Sequence, residues 1–311
     1  MSESNAVQIK YVPEVTLGVT PADDNGWKDL RYISDSLTGS PEVQTSDESR
    51  ADRNISDQFI TGINTQGDVS VELHRETYDD FLEAAMCGTW ASDALRVGTI
   101  DRSFSMEKQF TDLAGFKAVN FTGMRVATAE LSFAYGSAVT GTFNFAGLAY
   151  SINNAASLVG TGTSAAVNSN KVIQAGGNLG SLQLDNAATG IIFKDMTVNI
   201  NNNMRAITGV GSNFAQDQRK GRAIITGTIN MYLDDEAWAF LAHSLNQTGF
   251  GLEWTVSDGT GGLGIEMPNL RLSGELPNRP GPDQDVMFSA NYTALYDATA
   301  QSSLVLTRGA V

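Results

Sequence analysis

The sequence predicts a mainly β protein with flanking helices, built as a tandem duplication of an antiparallel β-sandwich or barrel domain. Three observations predict it. Apolar and polar residues alternate over short segments, the period-2 pattern of half-buried strands. A strand-to-helix signature occurs twice. Residues 67–85 align without a gap on residues 227–245, which places Val69 on Ile229, Val71 on Met231, Leu73 on Leu233, Glu76 on Glu236 and Tyr78 on Trp238. Finally, residues 151–180 are rich in Ser, Gly, Ala and Asn, carry Lys171 as their single charge, and read as a linker between a first domain (1–150) and a second (181–311).

Taken in order, residues 1–30 read as an extended arm carrying Pro13 and Pro21. Residues 33–37 and 59–63 read as strands on either side of a charged excursion, 42–57, and an excursion of that length in a compact domain is a functional or a disordered segment. Val69, Val71 and Leu73 then alternate with Asp68, Ser70 and Glu72. The following helix places Tyr78, Phe81, Leu82 and Ala85 at i, i+3, i+4 and i+7, one apolar stripe facing a core. Glu76, Asp79 and Asp80 favour its macrodipole, and Gly88 stands where it can stop. Strands are expected at 104–110, 118–121, 128–133 and 140–146. The second copy repeats the order: Asp234, Asp235 and Glu236 open a helix with the stripe Trp238, Leu241, Ala242 and Leu245, and strands follow at 251–256, 264–267, 271–276 and 286–293. Downstream segments match as well: 106–112 with 252–258, 123–126 with 269–272, and Asn144, Phe145 and Leu148 with Asn291, Tyr292 and Leu295.

Composition narrows the function. With 311 residues and 41% hydrophobic content the chain is globular and long enough for two cores. Its net charge is −15, with 22 acidic against 11 basic residues in 1–150 and 13 against 9 in 151–311. Affinity for nucleic acid comes from Lys and Arg displacing counterions, so this surface will not adhere to a phosphate backbone. The apolar stretches are too interrupted to span a bilayer, and Met1 to Asn5 lacks the basic and apolar regions of a secretory signal, so a soluble protein made in a cytoplasm is expected. Cys87 stands alone, which excludes an internal disulfide and a cysteine-based metal site; it reads as a small buried hydrophobe.

No catalytic, cofactor-binding or metal-ligating set emerges. His74 and His243 read as solvated or capping residues. The paired acids Asp79–Asp80 and Asp234–Glu236 sit at helix starts rather than across a cleft. Gly160–Gly162 and Gly209–Gly211 lack the Lys-Ser/Thr ending of a phosphate loop and read as turns, and Gly261–Gly264 reads as a hairpin loop. Arg219, Lys220 and Arg222 form the basic cluster, suited to ion pairs with a neighbouring subunit.

The run Tyr11 to Pro21 resembles the opening of the tail tube proteins of long-tailed, non-contractile bacteriophages. Further likenesses are Leu30-Arg31-Tyr32, Glu76 to Ala85, Phe110-Thr111-Asp112, Phe121 to Val126 and Gly141 to Gly147. The resemblance implies packed antiparallel sheets, a helix against one side, and a long hairpin loop reaching the next subunit or ring. It also implies a structural virion protein, assembled in the host cytoplasm, whose rings stack into a tube that conducts the double-stranded DNA genome from capsid to host without binding it specifically. Other tail proteins meet the tube ends, and no membrane is involved. Family rings commonly present six copies of the fold, so a duplicated chain suits a trimer with pseudo-sixfold symmetry better than a hexamer.

Within that expectation, Asp68, Ser70, Glu72, Thr228 and Asn230 are candidates for the lumen, and Tyr232 departs from a purely acidic lining. A trimer carries about −45, and like charge on wall and DNA suppresses adhesion within a Debye length of roughly 8 Å. The excursion 38–61 and its counterpart 201–222 are expected to make contacts between subunits or rings, with Asp47, Glu48 and Asp52 of one copy meeting Arg219, Lys220 and Arg222 of another. Another β-rich virion component, such as a minor tail or capsid-decorating protein, is the alternative. A carbohydrate-active β-sandwich enzyme is a further one, whereas an outer-membrane barrel lacks its signal sequence and aromatic girdles.

Overall fold

The computed structural model of the chain describes residues 3–22, 26–160, 163–175, 179–185, 187–274, 276–277 and 281–309. It is mainly β, and its strands pair antiparallel. The N-terminal arm supplies β1 (Val7–Pro13) and β2 (Lys28–Asp29). Two strands then flank the charged excursion on one side, β3 (Ser34–Asp35) and β4 (Thr38–Thr45), and β5 (Gln58–Glu72) returns on the other. The excursion is thus a β-hairpin, with Thr38 opposite Gln66 and Thr45 opposite Gln58. The segments 59–63 and 68–73, expected to be separate, are one strand of 15 residues. Gly67 inside it has φ +154° and a built Cβ would lie 2.5 Å from Ser36 O, so only glycine lets β5 continue past that crossing.

The helix α1 (Asp79–Met86) buries Phe81, Leu82, Ala84, Ala85 and Met86. The Phe81 ring stands 4.7–5.4 Å from those of Tyr11, Phe104, Phe143 and Phe145, so one aromatic side chain joins arm, helix and sheet. The helix stops one residue before the expected glycine: Cys87 takes the left-handed conformation (φ +49°) and Gly88 N donates to Glu83 O.

After α1 come β6 (Ala94–Arg96), β7 (Phe104–Phe110), β8 (Ala118–Ala134), β9 (Thr140–Ala146) and β10 (Ala149–Asn153). The strands expected at 118–121 and 128–133 are one, β8. It turns at Gly123 (φ +67°) and bulges between Val126 and Thr128. Its first part pairs with β7 and β10 and its second with β9, so one long strand serves two sheet layers. The segment after β10 lies along the first half, with bridges from Ala165 to Lys28, Val172 to His74 and Gln174 to Ala138; residues 161–162 and 176–178 of the expected linker lie outside the described residues.

The second half contributes β11 (Leu179–Leu184), β12 (Ala187–Ala188), β13 (Phe193–Asn201), β14 (Arg205–Ile207), β15 (Asp217–Arg219) and β16 (Ile224–Tyr232). Then come α2 (Asp235–Asn246), β17 (Phe250–Ser257), β18 (Gly262–Gly274), β19 (Met287–Ala294) and β20 (Val305–Arg308). The Asp234 side chain caps α2 by accepting from Ala237 N at 2.7 Å. The stripe expected to face the core is corrected here. Ala237, Phe240 and Leu241 are buried, whereas Trp238 and Leu245 are 62% and 75% exposed. The sequence offers two overlapping apolar stripes, and Phe240 wins because Phe250 lies under it at 5.0 Å.

Successive pairings form one sheet in the order β4, β5, β9, β8, β13, β16, β19, β18. The β8–β13 pairing, from Thr128 opposite Asn201 to Ala134 opposite Asp195, carries that sheet from the first half into the second. Its apolar face buries Val69, Val71, Phe143, Leu131, Val198, Ile200, Ile229, Met231 and Phe288 in a core shared by both halves. The chain also returns: β20 pairs with β6 and β18, and Arg308 bonds to Asp79 at 2.7 Å and Asp93 at 2.9 Å.

Candidate functional surface

The other face of this sheet is polar from one end to the other. Register aligns Ser70, Thr142, Glu130, Asn199, Thr226, Thr293 and Arg271 in one row. The next row holds Glu72, Thr140, Ser132 and Thr197, then Thr228, Asn291 and Ser273. These side chains are short and bond sideways. Ser70 and Thr142 hydroxyls are 3.3 Å apart, those of Thr197 and Thr228 are 2.9 Å apart, Asn144 Nδ2 donates to Asp68 at 2.8 Å, and Asn230 Nδ2 donates to Asp195. The alternation that buries Val69 and Ile229 on one side dictates this lining on the other. All five lumen candidates, Asp68, Ser70, Glu72, Thr228 and Asn230, are on it. Asp195, Glu130, Asn144 and Thr142, which sequence reasoning did not single out, stand beside them. Their period-2 spacing was visible, but which strands lie adjacent was not.

In these two rows Glu72 and Glu130 carry negative charge and Arg271 positive; Asp68 and Asp195 add negative charge in neighbouring rows, and Arg125, in the row of Gln66 and Ala146, is held by Gln218 O and Asp101. Arg271 Nη1 donates to Asn269 Oδ1 at 3.0 Å and to Leu270 O, which keeps its guanidinium on the protein. Such a face has little with which to hold a phosphate chain.

The hairpin β4–β5 projects a second feature. Val43, Ile55, Phe59 and Ile60 are exposed on it, as are Asp47 and Glu48. Asp52 pairs with Arg50 at 2.9 Å, and that hydrogen bond, helped by Asn54, lowers its carboxyl to about 2. The counterpart loop folds against the hairpin's base: Ile63 N donates to Asn213 O at 2.7 Å, and the Phe214 ring meets Tyr150 at 6.5 Å. Its cations have partners in their own chain. Arg219 bonds to Asp217 at 2.9 Å, and Lys220 bonds to Asp101 and to Thr99 O. Arg222 is exposed. The structure therefore brings the two loops together at their bases, without bringing Asp47, Glu48 or Asp52 to Arg219, Lys220 or Arg222 of the same chain.

Both histidines depart from expectation. His74 is buried, its Nδ1 on Glu72 O at 2.7 Å, and burial pushes its pKa below the ordinary value. His243 is half-buried, its ring 6.0 Å from Phe240 and 5.1 Å from Phe250. Cys87 is buried as expected, and burial pushes its thiol pKa up. Beside His74 lies an ion pair that no local pattern marks: Arg75 Nε to Asp258 Oδ2, 3.7 Å, across the two halves. Among the described residues no three His, Cys, Asp or Glu side chains are placed to hold a metal ion, and no helix is long and apolar enough to cross a membrane.

The phage tail tube protein family matches residues 4–294, nearly the whole chain. The chain belongs to that family. Membership makes this tube protein a structural component of the virion tail that self-assembles into a tube, and not an enzyme. No curated protein matches the chain.

Proposed function

We propose that this tube protein is a tandem of two tail-tube units, three copies of which close into a ring with pseudo-sixfold symmetry. The rings stack into a tube, assembled in the host cytoplasm, whose polar face lines a passage for double-stranded DNA from capsid to host, and other tail proteins seal its ends. We divide the chain into units at 1–150 and 181–311, with 151–180 joining them.

The observation that carries this reading is the polar sheet face that runs unbroken through the β8–β13 pairing. Registers support the duplication. Phe104 pairs with Met124 and Met106 with Phe121 across an irregularity; Phe250 pairs with Leu270 and Leu252 with Met267 across another, each displaced by 146 residues. Gly67 opposite Phe145 corresponds to Gly227 opposite Tyr292, at displacements of 160 and 147 because the intervening loops differ in length. This sheet ends in edges at β3–β4 and at 271–274 of β18, and edges of this kind are removed when neighbouring copies pair into a closed barrel. Short hydroxyl and amide side chains with a surplus of carboxylates let a polyanion slide without adhering. Among the described residues Asp47, Glu48 and Arg222 have no ion-pair partner, which suits them to a neighbouring copy. Asp52, Arg219 and Lys220 would have to exchange or share the partners they already have.

Native mass measurement of one ring tests the stoichiometry, and electron microscopy tests the passage. The expected ring is three times 33.2 kDa with an open centre. Six chains per ring refute the trimer, and compact oligomers without a central opening refute the tube.

A further inference from the structure

Trp238 at the start of α2 is 62% exposed, while Tyr78, its counterpart at the start of α1, is 1% exposed. Part of the cover over Tyr78 comes from the other half of the same chain. The tip of the β17–β18 hairpin seats on the start of α1. Asp258 pairs with Arg75 at 3.7 Å, and a built Cβ on Gly261 would lie 2.7 Å from Arg75 Nη1. Gly262 and Leu263 line a small cavity with Tyr78 and Leu82. The β7–β8 hairpin has the same register at a displacement of 146, so its Asp112, Gly115 and Lys117 stand where Asp258, Gly261 and Leu263 stand. Its tip, Thr111 to Gly115, is exposed.

We propose that the β7–β8 tip of one copy seats on the start of α2 of a neighbouring copy, with Lys117 over the Trp238 indole and beside Asp235. The inference rests on the ring reading: if six units occupy equivalent positions, the contact made inside each chain recurs between chains. The charges fit that second contact once they are exchanged. Inside the chain the tip brings a carboxylate and the helix start brings Arg75. Asp235 occupies the place of Arg75 in α2, and the cation moves to the tip as Lys117. Among the described residues neither Lys117 nor Asp235 has an ion-pair partner in its own chain. A lysine over an indole is a favourable cation–π pair, and a cation beside the acids at the start of α2 adds to it. Asp112 is drawn away, because its Oδ2 accepts from Glu3 N at 2.7 Å. The exchange also sets the order of units, since a second β17–β18 tip would bring Asp258 against Asp235.

The full-length protein tests this through fluorescence and cross-linking. Trp27 and Trp254 are fully buried and Trp90 is half-buried, so Trp238 dominates quenching by iodide in the monomer. Assembly should shift the emission to the blue and remove most of that quenching, and Trp238→Phe should lose both signals. Ala114→Cys combined with Asp235→Cys should give disulfide-linked ladders up to the trimer on oxidation, which neither single variant gives; native Cys87 is buried and does not compete. Lys117→Glu should raise the concentration needed for assembly at least tenfold with an unchanged monomer circular dichroism spectrum, and Asp235→Lys in the same chain should restore it. Rings in which Trp238 stays as quenchable as in the monomer, or a cysteine pair that gives no ladder, overturn this contact alone. Failure of the wild-type protein to form rings overturns the ring reading and this contact together.

Discussion

Gly227→Ala probes the strand junction on which the polar face depends. Gly227 lies in β16 opposite Tyr292 of β19, and the Tyr292 hydroxyl reaches across it to donate to Thr197 O in β13 at 2.6 Å. A methyl at position 227 would overlap both Thr197 O and the Tyr292 hydroxyl. Thr197 O is backbone and cannot swing aside, so β13 and β16 must part. Overpacking of this kind costs about 1–3 kcal/mol. Losing the buried Tyr292 bond costs about 1–3 kcal/mol more, because the carbonyl is left without a partner. The sum, about 2–6 kcal/mol, is a large part of the 5–15 kcal/mol typical of a folded domain. In a chain of this size it should lower the melting temperature by roughly 3–9 °C. Circular dichroism melting of unassembled protein measures it. Tyr292→Phe should reproduce the hydrogen-bond share, and Gly62→Ala, whose methyl would meet only Glu42 Oε2 at an ordinary 3.5 Å, should melt like wild type. A Gly227→Ala protein melting within about 2 °C of wild type refutes the reasoning.

Three further outcomes follow from the same geometry. Thr228→Lys with Asn230→Lys should leave tube length unchanged but make tubes retain DNA at low salt and release it at high salt, as a filter-binding titration reads; salt-independent retention, or none, counts against the lumen assignment. Acid should weaken the junction between halves. Burial holds His74 below its ordinary 6.5, so the unfolded chain takes up the proton first and stability falls as pH drops below about 6.5. Asp258 is held below 3.8 by Thr260 and by backbone donors, so its contribution is present above that value and is lost as pH falls through its lower folded pKa. Asp79, raised by burial, works in the opposite direction just above 3.8. His74→Gln should flatten the slope just below pH 6.5 in urea unfolding, and an unchanged slope there rules His74 out as its source. Asp47→Lys with Glu48→Lys should shorten tubes without changing monomer melting, and tubes of wild-type length in that variant dismiss the hairpin tip as a contact.

Much of the architecture was legible from period alone. Strands β7 and β9 occupy the residues the alternation marks, and α1 buries Phe81, Leu82 and Ala85. Legibility failed where one local pattern permits two outcomes. Residues 59–63 and 68–73, like 118–121 and 128–133, read as separate strands, yet β5 and β8 run on through Gly67 and Gly123, where neighbouring backbone or side chains occupy the space a Cβ would need. The apolar stripe of α2 was misassigned because Trp238 and Phe240 both satisfy helical spacing. His74 looked polar and solvated, but the segment bridging to it at Val172 covers it.

By itself the sequence determined that strands alternate, that a similar strand-to-helix signature stands at 67–85 and at 227–245, and that acid outweighs base. These are properties of neighbours along the chain, and spacing and composition carry them. Only the tertiary structure decided that β8 lies beside β13, that Arg75 meets Asp258, and that Trp238 stays bare while Tyr78 is covered. Such contacts join residues far apart in sequence. They are selected by how whole sheets twist, bend and cover one another, and no local period encodes that choice.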